Sequence, residues 1–208
     1  MTCFTTEWNG FLDRIPEDFQ DLYYREEYVK LYENETEKAC CFVYEDSGDV
    51  FLFPFLKRTF KYQGKEYYDF ETAYGYGGYI ANNHSEIFLG AAYTAFFDLA
   101  KQQKFVCGFV RFHPVLDNTL GFGKIGHVYN DRKTIAIDLS SGIENAWMNE
   151  IHKKNRNIIK KGEKAGLDFV LDYNFENLES FVKIYDSTMD KLSADSFYYF
   201  KHLSLFFK

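Results

Sequence analysis

The sequence predicts an α/β chain built on a mixed α+β sheet. Three observations carry that prediction. Aromatic and β-branched runs are separated by two-residue turn signals, Ser47-Gly48 and Gln63-Gly64. A long run with helical spacing, 85–104, follows them. Beyond residue 140 the pattern becomes mostly helical.

In chain order, "EDFQDLYYREEYVKLYEN" (17–34) sets Phe19, Leu22, Tyr23, Val29 and Tyr32 at broadly helical spacing and predicts a first helix. "ACCFVYE" (39–45) and "DVFLFPFLKR" (49–58) predict a hairpin. Pro54 lacks an amide donor, which predicts an edge or a bulge in its second strand. "KEYYDF" (65–70) predicts a third strand. The helix over 85–104 carries a stripe of Phe88, Ala92, Ala95, Phe96 and Leu99, with Asn83 and Glu86 as a capping box. "FVCGFVRF" (105–112) predicts a buried strand. "GHVYN" (126–130) and "KTIAIDLS" (133–140) predict two more, turning at Asp131-Arg132. A further helix is expected from the capping box Ser141-Gly142-Ile143-Glu144 to a left-handed Gly166. A short strand (168–173), a helix (175–192) and a final helical piece complete the chain. The apolar end around Phe197, Phe200, Leu203 and Phe206 is expected to be exposed and to be covered in a homodimer.

Composition narrows the function classes. Of 208 residues, 46% are hydrophobic and 20% aromatic, so the chain folds around a Phe-rich core with tyrosines at its margins. A net charge of −7 excludes a generally basic nucleic-acid binder. No CxxC pairs the four cysteines, and Cys3, Cys40, Cys41 and Cys107 read as reduced core residues. Neither HxH nor HExxH occurs among the five histidines, so no metal site is expected. No leader-like start and no membrane-length apolar run are present, which predicts a cytoplasmic protein without membrane insertion.

Three segments carry candidate chemistry. In "DFETAYGYGGYIANN" (69–83), Gly75, Gly77 and Gly78 permit close backbone approach, and Tyr74 and Tyr76 can stack on a sugar or offer hydroxyls. The segment is read either as the wall of an acceptor cleft or as an aromatic turn capping the sheet. In "VRFHP" (110–114), alternation puts Arg111 and His113 on one face. Arg111 is read as a clamp for carboxylate or phosphate, or as the partner of a protein acid. His113 is a weak candidate for a general base, or a histidine satisfied in the turn before Pro114.

The third segment is the helix of residues 150–166, with six bases against two acids. Trp147, Ile151, Ile158 and Ala165 mark its expected buried stripe, with Asn155 inside it and Lys154 and Lys161 on its flank. Lys153, Arg156 and Lys160 are expected to face solvent. Glu150 and Glu163 leave Arg156, Lys161 and Lys164 without helical partners. Lys154, Asn155, Arg156, Lys161 and Lys164 are therefore candidates for binding an anion or phosphate, against a solvated charged face as the alternative.

The element order, with "YGYGG" (74–78), "VRFHP" (110–114), "TIAIDLS" (134–140), "KNRNIIKKGEKAGL" (154–167) and "YDSTMDKL" (185–192), resembles the FemABX family of GNAT-like acyltransferases over roughly residues 45–208. The resemblance implies a first GNAT-like domain at 1–140. It also implies a linking basic helix and the truncated start of a second such domain at 141–208. It implies transfer of an acyl or aminoacyl group to an amine of a cell-wall or polysaccharide precursor, with acyl-CoA or aminoacyl-tRNA as donor and no tightly bound cofactor. The partners it implies are a small-molecule or nucleotide-sugar acceptor and tRNA. The usual acetyl-CoA signature, Q/R-x-x-G-x-G/A, lacks its Gln or Arg here, which argues against CoA in the first half. The alternatives are a non-catalytic binding half, an incomplete fragment of such an enzyme and, more weakly, an RNA-binding protein using the basic helix.

Overall fold

Side-chain alternation along one long strand builds the sheet. In β3 (Asp49–Tyr62), Val50, Leu52 and Leu56 point to one face and Phe51, Phe53 and Phe55 to the other. Neighbouring β2 (Glu37–Asp46) alternates in register, with Ala39, Cys41 and Val43 on the first face and Cys40 and Phe42 on the second. The computed structural model that establishes this describes residues 1–199. The chain divides into two compact units, Met1–Asp131 and Arg132–Lys208.

The first unit holds a mixed six-stranded sheet of order β1-β2-β3-β4-β6, with β5 beside β3. The remaining strands are β1 (Thr2–Thr5), β4 (Lys65–Glu71), β5 (Ile80–Ala81) and β6 (Phe105–Phe109). All pairs are antiparallel except β4 with β6. Both hairpin turns have positive φ at their two central residues, as the right-handed strand twist favours (Ser47 52°, Gly48 97°; Gln63 50°, Gly64 73°). Pro54 sits in a central strand, opposite Cys41 and with no register shift between β2 and β3, which corrects the expected edge or bulge. The far side of β3 changes partner there: β5 takes Phe51 and Leu52, and β4 begins at Leu56. Pro54 thus falls beside a gap in the sheet.

Small side chains on the first face leave room for residues 8–32, whose Trp8, Leu12, Ile15, Tyr24 and Val29 are buried against it. The helical run expected at 17–34 is instead two 3-10 turns (Glu17–Phe19, Leu22–Tyr24) and a short α2 (Glu26–Lys30), preceded by α1 (Asn9–Leu12). Extended backbone at Gln20, Asp21 and Arg25 interrupts it. Tertiary anchors override the local pattern: the Trp8 indole donates to Tyr24 O at 2.7 Å, and the Tyr24 hydroxyl donates to Gly77 O at 3.1 Å. On the second face the phenylalanines meet α3 (Glu86–Gln102), which buries Phe88, Leu89, Ala92, Tyr93, Phe96 and Ala100. Ser85, not Asn83, caps this helix, accepting from Phe88 N; Asn83 accepts from Ser85 N and donates to Asp49.

β6 is an edge strand with Val106, Cys107, Gly108 and Phe109 exposed, which corrects the expected buried strand and the reading of Cys107 as a core residue. Residues 126–130 and 133–140 form no strand, nor do 168–173. A strand needs a ladder partner, which alternation within a segment cannot supply.

In the second unit, the helix expected from Ser141 is interrupted. It comprises α4 (Ile143–Asn145), a π-helical turn (Ala146–Glu150), extended backbone at Ile151, and α5 (Lys153–Lys164). Gly142 rather than Ser141 precedes α4, with no side-chain cap. The end of α5 is as expected: Gly166 has φ 75°, Gly166 N donates to Glu163 O and Leu167 N to Gly162 O. α6 (Leu178–Leu192) follows. Ala146 is the one buried residue of this unit among those described. The stripe expected on the basic helix is therefore absent; Ile158 is exposed, and so is Asn155. The apolar surface expected around Phe197, Phe200, Leu203 and Phe206, and its dimer, rest on the Phe197 side chain and on residues 200–208, which lie outside what is described. Among the described residues no helix is long and apolar enough to cross a membrane.

Candidate functional site

Between β4 and β5 the chain makes the Tyr/Gly loop, and the segment after β6 holds it in place. Thr72 N donates to Phe109 O (3.1 Å), Arg111 N to Thr72 Oγ1 (3.0 Å), Gly77 N to Arg111 O (2.8 Å) and His113 N to Gly77 O (3.1 Å). The parallel pairing of β4 and β6 thus continues irregularly past the strand ends. It brings Tyr74, Gly75, Tyr76, Gly77 and Gly78 together with Arg111 and His113.

The glycines serve packing. A Cβ on Gly75, at φ 101°, would strike the Tyr23 ring. One on Gly77 would meet Thr72 Cγ2 at 2.8 Å. One on Gly78, at φ 94°, would meet Asn118 Nδ2 at 2.7 Å and Phe112 Cδ1 at 2.9 Å. Gly77 N–H is already bonded to Arg111 O, so it is not offered to a ligand.

Asn118 organises the interior. Its amide NH2 lies 2.8 Å from Gly77 O, 2.9 Å from Tyr24 Oη and 3.0 Å from Tyr79 O, and its Oδ1 accepts from His113 N at 3.1 Å. It is 3% exposed, so these partners replace water entirely. Outside it stands a tyrosine cluster. Tyr23 meets Tyr28, Tyr76 and His113 edge-on, and Tyr28 donates to Tyr74 O at 2.7 Å. Tyr74 is 46% exposed and Tyr76 half-buried.

His113 is engaged at both nitrogens. Nδ1 accepts from Val115 N (3.2 Å), so the proton sits on Nε2, which faces Asp21 Oδ2 at 3.3 Å. A base needs a free lone pair, and that of Nδ1 is occupied. Arg111 has no acidic partner among the described residues; its guanidinium lies 3.4 Å from Gly75 O and 5.9 Å from the Phe109 ring centre. No family model, curated protein or solved structure matches the chain.

In the second unit the basic candidates separate. Arg156 turns back and donates to Trp147 O (2.8 Å), Met148 O (2.6 Å) and Ile151 O (3.0 Å), capping the carbonyls that end the π turn. Lys154 and Lys161 line an open groove of about 490 Å³ with His152, Lys153, Asn157 and Ile158. Lys153 is exposed, as expected, and stands beside Lys154 there. The His152 imidazole caps α5, accepting from Lys154 N at 3.3 Å. Asn155 and Lys164 are exposed and do not line the groove. Among the described residues no group of three His, Cys, Asp or Glu is placed to hold a metal.

Sequence reasoning missed Asn118, Tyr23, Tyr24, Tyr28 and Asp21. The tyrosines lay in a run read as a helix, with Tyr23 alone of the three on its apolar face, and Asn118 stands in "LDNTLGFG" without any pattern around it.

Burial, with the charge of Asp21 beside it, pushes the Tyr24 hydroxyl well above its ordinary range. Up to about pH 10 both folded and unfolded states keep this proton. Above that the unfolded state loses it while Tyr24 keeps it, so stability falls as pH rises, by up to about 1.4 kcal/mol per pH unit for this group. Urea unfolding between pH 9 and 11.5 should show a shallower decline in Tyr24→Phe than in the parent. Equal slopes would contradict the assignment.

Proposed function

We propose that the chain acts in acyl or aminoacyl transfer to an amine of a cell-wall or polysaccharide precursor, as a GNAT-like protein of FemABX type. The observation that carries this reading is the convergence of Tyr74, Tyr76 and Arg111 at the carboxyl ends of β4 and β6. These two parallel neighbours are linked through the Tyr/Gly loop and the crossover helix α3. In open α/β sheets that end of the strands is where ligands bind. The amine attacks the carbonyl of an activated ester or thioester. A C–N bond forms, the C–O or C–S bond breaks, and the ammonium proton leaves to solvent or the departing group. Such a reaction depends mainly on positioning and on stabilising the oxyanion. Arg111, exposed and without an acidic partner among the described residues, is suited to hold an anionic part of the acceptor.

The engagement of both His113 nitrogens favours a second reading, a binding half without acid–base machinery. Incubation with an acyl-CoA or an aminoacyl-tRNA and an amine acceptor, followed by mass spectrometry, separates the two: amide product supports the enzyme, and binding without product supports the second.

The groove of Lys153, Lys154 and Lys161 is the corresponding candidate for phosphate groups of acceptor or tRNA. Lys154→Ala with Lys161→Ala is expected to weaken binding of a nucleotide diphosphate by at most about 1 kcal/mol per lysine, less as salt rises. Titration at two ionic strengths checks this. An unchanged affinity would reduce the groove to a solvated face.

A further inference from the structure

Face assignments place three further groups in one row on the sheet. Phe70 and Val110 pack into the phenylalanine layer beneath α3, so Glu71, Phe109 and Arg111 point to the opposite face. Glu71 pairs directly with Phe109 across β4 and β6, and Arg111 lies two residues beyond. With strands about 4.8 Å apart and residues two apart about 6.6 Å along a strand, the Cα atoms of Glu71 and Arg111 are separated by roughly 8 Å. All three side chains are exposed; Phe109 is 57% accessible.

Among the described residues neither charge has a direct ion-pair partner. Among the described residues the Glu71 carboxylate makes no hydrogen bond or ion pair. Arg58, whose charge Glu71 feels, is held bidentately by Asp69 (2.9 and 2.6 Å) and makes no direct contact with Glu71. Among the described residues the Arg111 guanidinium contacts a carbonyl oxygen and the Phe109 ring, with no acid beside it. An acid and an arginine flanking an exposed ring, neither held in a direct ion pair, complement a ligand that carries both charges close together.

We infer that Glu71, Phe109 and Arg111 form a site for an α-amino-acid headgroup, with its ammonium on Glu71, its carboxylate on Arg111 and its aliphatic part over Phe109. The inference rests on the proposed transfer reading, and names the acceptor as an amino acid whose free amine is acylated. Arg111 suits the carboxylate because its guanidinium offers two parallel donors.

The test is binding measured without turnover. The common L-amino acids are titrated into the full chain by NMR, and the tightest binder is then compared with its carboxamide and its N-acetyl derivative. Charge-assisted hydrogen bonds predict that Arg111→Ala weakens the amino acid about ten-fold and leaves the carboxamide unchanged. Glu71→Gln should weaken the amino acid by a similar factor, about ten-fold, and leave the N-acetyl derivative unchanged. Both residues are exposed, so circular dichroism of either variant should match the parent. Absence of binding by every amino acid overturns the inference, as does equal weakening of all three compounds by both variants. The expected pattern without product from any donor would remove the transferase reading and leave this site standing. Product formed with unaltered KM in both variants would do the reverse.

Discussion

Asn118→Ala is expected to lower the unfolding free energy by about 3 kcal/mol or more. The substitution strips the NH2 group from Gly77 O, Tyr24 Oη and Tyr79 O and the Oδ1 acceptor from His113 N. Tyr24 and His113 N retain their bonds to Gly77 O, but Tyr79 O loses the Asn118 contact in a place water does not reach. An unsatisfied buried polar group costs about 1–3 kcal/mol, and a small cavity adds to it. Asn118→Asp should be at least as harmful despite its equal size, since a carboxylate would face the carbonyls of Gly77 and Tyr79. Chemical denaturation provides the measurement. A loss below about 1 kcal/mol for both variants would show that the network is dispensable.

Gly78→Ala is expected to cost a further large amount, about 2–4 kcal/mol. Its φ of 94° is strained for any residue with a Cβ, and that Cβ would press on Asn118 Nδ2 and Phe112 at under 3 Å. Gly48→Ala is the matched control. Its φ is 97°, yet nothing lies within 4 Å of its Cβ position, so it should lose only the conformational part. If the two substitutions destabilise equally, the close packing of the loop contributes nothing.

The hairpins were legible because a two-residue turn is a local device: Ser47-Gly48 and Gln63-Gly64 carry their positive φ values in adjacent residues. α3 was legible because its apolar spacing and its polar start both lie within one segment, although Ser85 rather than Asn83 supplies the cap. "TIAIDLS" has the alternation of a strand, but alternation describes a face and supplies no neighbouring ladder. Residues 17–34 have helical spacing, yet the anchoring of Trp8 and Tyr24 interrupts it. At the candidate site the glycines and tyrosines announced themselves by density. The residues that position them, Asn118 and Tyr24, lie 41 and 53 residues from Gly77 and carried no signal of their own. The charge pattern of the basic helix was plain, whereas the return of Arg156 onto the carbonyls of Trp147 and Met148 depends on a π turn that no spacing rule indicates.

The most direct test of the account is a transfer assay. The full chain is incubated with an acyl-CoA or an aminoacyl-tRNA and amine acceptors, and products are identified by mass spectrometry. The account predicts a new amide on the acceptor with at least one donor class, strongly reduced by Arg111→Ala at low acceptor concentration. Failure to form an amide with either donor, across amino-acid, peptide and nucleotide-sugar acceptors, would contradict it.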